Sequence, residues 1–165
     1  MKSRTSKPSA ALKRHPMPNQ AAMVTGIFPI VAIGASAGGL EAYMEFFHAL
    51  PLDTGMAFVL IQHLDPSHES MLTEIISKAT GMPVEEVTSG VTVQPNHVYV
   101  IPPNTMMALA GGVFQLSPRG KTPGPHLAVN FFMHSLALER KGGAIAIVLS
   151  GMGADGTAGM DSLRE

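Results

Sequence analysis

The chain has 165 residues, 45% of them hydrophobic and 14% charged, with a formal charge of −1, which suits one domain with a substantial core. It has no cysteine, so disulfides, a thiol nucleophile and a cysteine-based zinc site are excluded. No window reaches the ~18 uninterrupted apolar residues of a membrane span, and the N-terminus lacks the apolar region of a signal peptide. The expectation is a cytoplasmic protein with no membrane insertion.

The small net charge hides an asymmetry. Residues 1–28 carry Lys2, Arg4, Lys7, Lys13 and Arg14 and no acid, whereas the remainder holds 6 Lys and Arg against 12 Asp and Glu. The first segment is also rich in Ser, Pro and Ala without apolar periodicity, so residues 1–28 read as a disordered basic leader and residues 29–165 as the folded domain. An acidic folded part without interleaved aromatic and basic residues argues against nucleic-acid binding.

In chain order, residues 29–33 form a first strand. The small-residue turn Gly34-Ala35-Ser36-Ala37-Gly38-Gly39 follows, then a helix from Leu40 to Leu50 with Leu40, Tyr43, Met44, Phe47 and Leu50 on one face. The uninterrupted apolar run from Ala57 to Gln62 is the mark of a strand buried on both faces, and it delivers His63. Ser67 to Thr80 reads as a helix with Met71, Leu72, Ile75 and Ile76 inward, closed by Gly81 and Pro83. Short strands are expected at Val84 to Val87 and His97 to Ile101. Met106 to Ala110 and Val113 to Ser117 flank Gly111-Gly112, the signature of a two-residue hairpin. Ala128 to Arg140 is helical, with Val129, Phe132, Met133, Leu136 and Ala137 as its apolar stripe. Ala144 to Leu149 repeats the buried-strand pattern and breaks at Ser150-Gly-Met-Gly-Ala-Asp-Gly156; a last helix begins near Thr157. Alternation of strands and helices predicts an α/β fold, a doubly wound, mostly parallel, Rossmann-like sheet with one antiparallel β-hairpin.

Three residues with useful chemistry fall just past the carboxyl ends of apolar strands: Ser36, His63 and Asp155. In open parallel sheets ligands bind in the crevice outside those ends. A hydroxyl, an imidazole to take and return its proton, and a carboxylate to fix the imidazole's tautomer make up the set that acyl transfer requires. Each has a plainer reading. Ser36 could be a helix N-cap. Asp155 could bond to its own turn. His63 with Asp65 and His68 could ligate a metal. The glycine-rich turn could hold a dinucleotide, but Ser36 stands where the usual Gly-x-Gly-x-x-Gly has glycine, and Gln62-His63 replaces the acid expected after the second strand.

Gly34-Ala-Ser-Ala-Gly-Gly39, Gln62-His63 and Leu149-Ser-Gly-Met-Gly-Ala-Asp-Gly156 resemble the three signature segments of the catalytic domain of CheB-type protein-glutamate methylesterases, the chemotaxis adaptation enzymes. The likeness runs from about residue 29 to the end. It implies hydrolysis of γ-glutamyl methyl esters on the cytoplasmic helices of methyl-accepting chemoreceptors, with release of methanol, deamidation of receptor glutamines, and no cofactor. It also implies Ser36 as nucleophile, His63 as general base, Asp155 as orienting acid and the backbone N–H of Met152 as oxyanion donor. Where that family often has Thr after the nucleophile, this chain has Ala37. The family's catalytic domain usually follows a phosphorylatable receiver domain within a signalling phosphorelay, and it usually ends with a further strand and helix, so a C-terminally incomplete domain is expected. Other chemotaxis proteins are implied as partners. The competing reading is a non-catalytic module that docks a receptor helix in the same cleft.

Overall fold

The computed structural model describes residues 28–62, 71–120, 127–150 and 155–164. Strand β1 (Ile30–Ala35) passes through a 3-10 turn (Ala37–Gly39) into α1 (Leu40–Ala49), followed by β2 (Ala57–Gln62), α2 (Leu72–Ala79), β3 (Val84–Glu86) and β4 (Val98–Val100). The chain continues through β5 (Thr105–Ala110), β6 (Val113–Pro118), α3 (Ala128–Glu139), β7 (Ala144–Ser150) and α4 (Thr157–Ser162). Five strands form a parallel sheet in the order β3-β4-β2-β1-β7, and β5 and β6 form a separate antiparallel ribbon.

The uninterrupted apolar strands follow from burial on both faces. Ile30, Ala32, Val59 and Ile61 point into one core, shared with Val129, Phe132, Met133 and Leu136 of α3 and with Met107, Leu109 and Phe114 of the hairpin. Val31, Ile33, Phe58 and Leu60 point the opposite way, against Tyr43 and Phe47 of α1 and Leu72 and Ile76 of α2. The period of two is that of a strand, and both phases are apolar because each has a layer to face. Phe28 belongs to the first core and lies beneath the Arg140 guanidinium, 5.4 Å from its ring centroid. Residues 1–27, the rest of the expected leader, lie outside the described residues.

The hairpin turn has φ +61° at Gly111 and +72° at Gly112, the left-handed pair that a two-residue turn between twisted strands needs. The ribbon is docked on α3 by polar bonds as well as packing. The Leu109 N–H donates to Ser135 Oγ at 3.1 Å, and the N–H groups of Gly111 and Gly112 donate to the Glu139 carboxylate at 3.1 and 2.8 Å.

Two expectations are corrected. Met71, expected inward, is 61% exposed, because α2 begins at Leu72 and leaves Met71 at the N-cap position, outside the apolar stripe. The expected buried strand over Ala144 to Leu149 lies at the rim: among the described residues β7 pairs with β1 alone, and Ile145 and Val148 are exposed. An apolar run records that a strand suits burial, whereas its place in the sheet depends on which strands pair beside it.

Both tyrosines are buried. Burial pushes the Tyr43 phenol well above its ordinary range, and burial pushes that of Tyr99 up to about 12, against the N–H of Gln94, which donates to its oxygen at 2.9 Å and pulls the other way. The unfolded chain loses these protons first, near pH ~10, so stability is whole below that pH and falls as pH rises through and beyond it. Urea midpoints should therefore drop between pH 9 and pH 11.5 by less in Tyr99→Phe than in the wild type; equal drops would remove Tyr99 as a contributor.

Candidate active site

The parallel register brings distant parts of the chain to one rim. Ala35, the last residue of β1, stands opposite Gln62, the last of β2, and opposite Ser150, the last of β7. Ser36 therefore follows a strand end level with the last residues of β2 and β7, at the carboxyl edge where such folds place their sites. His63 and Met152 themselves lie outside the described residues, as do Asp65, His68 and His126.

Ser36 is half-buried in extended backbone, φ −83° and ψ 179°, immediately before the 3-10 turn. Ser36 holds the N-cap position of that turn, and its hydroxyl makes no capping bond there. What anchors the residue is its carbonyl, which accepts the Gly39 N–H at 2.9 Å and the Gln62 side-chain amide at 3.2 Å. Gln62 is buried, and it staples the turn that begins at Ser36 to the neighbouring strand end. Sequence reading assigned Gln62 no such role. The signal was present, since a carboxamide closing an apolar run must find a partner when buried.

A second brace lies one layer down. The Tyr43 hydroxyl, on α1, donates to the Ile33 carbonyl of β1 at 3.1 Å and approaches the Ile61 carbonyl of β2 at 3.4 Å. Its raised pKa keeps it a donor. Read from periodicity, Tyr43 was only part of an apolar face; a phenol in such a face also carries a polar tip that needs an acceptor.

Asp155 reaches across to another element. Its Oδ2 accepts the Val129 N–H at 3.1 Å and its Oδ1 the Asn130 N–H at 2.9 Å, both in the first turn of α3. A helix N-terminus offers unsatisfied N–H groups and a positive dipole end, so a carboxylate is well placed there. Gly34 lets α3 come this near, since a Cβ at that position would lie 2.7 Å from Val129 Cγ1. Beside this junction Met106, Leu127 and Phe131 line an apolar groove of about 480 Å³, with Asn130, His134 and Ser162 as its polar residues. Leu127 and Phe131 are 36% and 46% exposed. Among the described residues no group of three or more His, Asp or Glu side chains could hold a metal.

The family model described as CheB methylesterase matches residues 31–165. The chain belongs to the CheB methylesterase family. A protein-glutamate methylesterase/protein-glutamine glutaminase from Escherichia coli strain 536 is 34% identical over 140 residues, covering 82% of this chain and 40% of the relative. The Salmonella typhimurium protein of the same name is 35% identical over 135 residues, covering 79% and 38%. The chain thus spans about two-fifths of the length of these curated relatives. The crystal structure of the Thermotoga maritima CheB methylesterase catalytic domain superposes with a TM-score of 0.75 at 29% identity, over 83% of this chain and 75% of that one. The mostly parallel sheet with its antiparallel ribbon is therefore the CheB catalytic-domain fold, as the sequence resemblance implied.

The two described residues of the expected CheB site differ in what their removal does to the fold. Ser36→Ala removes a hydroxyl that caps nothing, and its unfolding free energy should stay within ~0.5 kcal/mol of wild type. Asp155→Ala strips the first turn of α3 of its acceptor and should cost about 1–2 kcal/mol, read from urea denaturation at neutral pH. An Asp155→Ala chain as stable as Ser36→Ala would show that the carboxylate contributes nothing as a cap.

Proposed function

We propose that this domain is a serine hydrolase that cleaves glutamate γ-methyl esters on the cytoplasmic helices of chemoreceptors and deamidates receptor glutamines by the same route. The observation that carries the reading is the common level of three adjacent strand ends, Ala35, Gln62 and Ser150, from which the segments bearing Ser36, His63 and Asp155 emerge. The curated relatives carry the matching name, protein-glutamate methylesterase/protein-glutamine glutaminase.

In this reading the Ser36 hydroxyl attacks the ester carbonyl carbon while His63 takes its proton. The carbonyl oxygen becomes an oxyanion, which accepts a hydrogen bond from the backbone N–H of Met152. Such a donor helps because it binds the developing charge more strongly than the ground-state carbonyl, and losing one typically costs a barrier increase of ~3–4 kcal/mol. His63 then gives its proton to the leaving methoxide, methanol departs, and an acyl ester of Ser36 remains. Water, deprotonated by His63, attacks that ester; collapse restores the serine and leaves the glutamate side chain as a carboxylate. With glutamine the first leaving group is ammonia and the later steps are the same. Asp155 accepts the second imidazole N–H, which fixes the tautomer and stabilises the imidazolium. The reaction is hydrolytic and needs no cofactor.

The substrate is a side chain on a helix, so the domain must also hold apolar surface beside the ester. The groove along α3 supplies it, with Leu127 and Phe131 one helical turn apart.

The deciding assay measures methanol released from a methylated receptor fragment. Wild type should turn over, and Ser36→Ala should be slower by at least ~10³-fold; equal rates would remove Ser36 as the nucleophile. Phe131→Ser should raise KM for the receptor fragment about tenfold while leaving cleavage of a short γ-methyl glutamyl peptide unchanged. A variant that slows both substrates alike would show that the groove does not hold the helix.

A further inference from the structure

The helices nearest the candidate site are capped crosswise. α3 opens at Leu127, which makes no side-chain cap, and its Val129 and Asn130 N–H groups are satisfied by Asp155 at 3.1 and 2.9 Å. α4 opens at Gly156, φ +104°, which has no side chain to offer. Its missing acceptor comes from α3: the Asn130 Oδ1 accepts the N–H groups of Gly156 at 2.9 Å and Gly159 at 2.7 Å. These are the N-cap and third helical positions, the pair that a good cap serves. The two helices also touch closely at this residue, since a Cβ on Gly159 would lie 3.1 Å from the Asn130 Cα.

Asn130 therefore takes part in both halves of the clasp. Its backbone N–H holds the Asp155 carboxylate, and its side chain holds the peptide that follows Asp155. A carboxylate has about four lone-pair sites, enough to accept from backbone N–H groups and from a side-chain N–H at the same time. Its orientation stays useful only while the backbone at residues 155–156 stays in place.

The geometry points to Asn130 as the positioning residue for the proposed catalytic acid, an inference that rests on the hydrolase reading. Asn130 acts through the carboxylate of Asp155, by fixing the turn that carries it. Misplacing a catalytic group by about 1 Å can cost ~10²-fold in rate, so the asparagine should matter to turnover more than to substrate binding.

The test compares Asn130→Ala with Asn130→Asp, which keeps an acceptor oxygen in the same place. In methanol release from the methylated receptor fragment, Asn130→Ala should lower kcat about tenfold or more, by a larger factor than it changes KM. The acid limb of its kcat profile should also move to lower pH, because an imidazolium whose carboxylate partner is displaced gives up its proton more readily. Asn130→Asp should restore most of kcat and return the acid limb. If both variants only lose thermal stability, with kcat per folded molecule and the acid limb as in wild type, the positioning role is overturned. Should Asn130→Ala not fold, Asn130→Ser, too short to bridge both N–H groups, is held to the same two readouts. The parent reading fails separately, by an absence of Ser36-dependent methanol release from the wild type, and the positioning role then falls with it.

Discussion

The first turn of α3 presents N–H groups that its own cap residue, Leu127, cannot satisfy, and the rest of the domain is arranged around the carboxylate that does. Asp155 is about 25 residues away in sequence, beyond an entire helix and strand. For it to reach Val129 and Asn130, β7 must lie beside β1 and α3 must cross close over Gly34. Unsatisfied N–H groups at a buried helix end cost on the order of 1–3 kcal/mol each. That cost ties the acid-bearing turn to the helix whatever the turn does in catalysis. From the far end of α3, Ser135 and Glu139 hold the hairpin, so one helix links the rim of the sheet to the ribbon.

The opposite side of the rim is held by different means. Gln62 bonds the Ser36 carbonyl, and Tyr43 braces β1 against β2, two residues before the end of β1 and one before the end of β2. Neither bond uses the Ser36 hydroxyl. The scaffold thus fixes the backbone around the proposed nucleophile and leaves its reactive atom outside the capping pattern. On the Asp155 side, by contrast, the proposed catalytic group and the structural group are the same carboxylate. Preorganisation of this kind is what places a catalytic group in advance of the substrate, and it predicts an unequal division between the two residues: stability and activity are separable at Ser36 and joined at Asp155.

Much of the fold was legible in the chain. The apolar runs announced β1, β2 and β7; Gly111-Gly112 announced the hairpin; and the stripe Val129, Phe132, Met133 and Leu136 announced the buried side of α3. These are local signals, set by side-chain period and by the φ preferences of glycine. The exposure of Met71 was not legible, because the point at which the helix starts decides whether that side chain joins the stripe or stands at the cap. Nor was the rim position of β7, which depends on pairing order.

The residues themselves determined the alternation of strand and helix, the chemical identity of Ser36, His63 and Asp155, and their place after strand ends, since all of these are written in near-neighbour patterns. Only the tertiary structure decided that Gln62 staples the Ser36 turn, that Tyr43 spans two strands, and that Asp155 and Asn130 cap each other's helices. Those bonds join atoms far apart in the chain. A hydrogen-bonding group states in sequence only that it needs a partner; which partner it finds is settled when the layers pack.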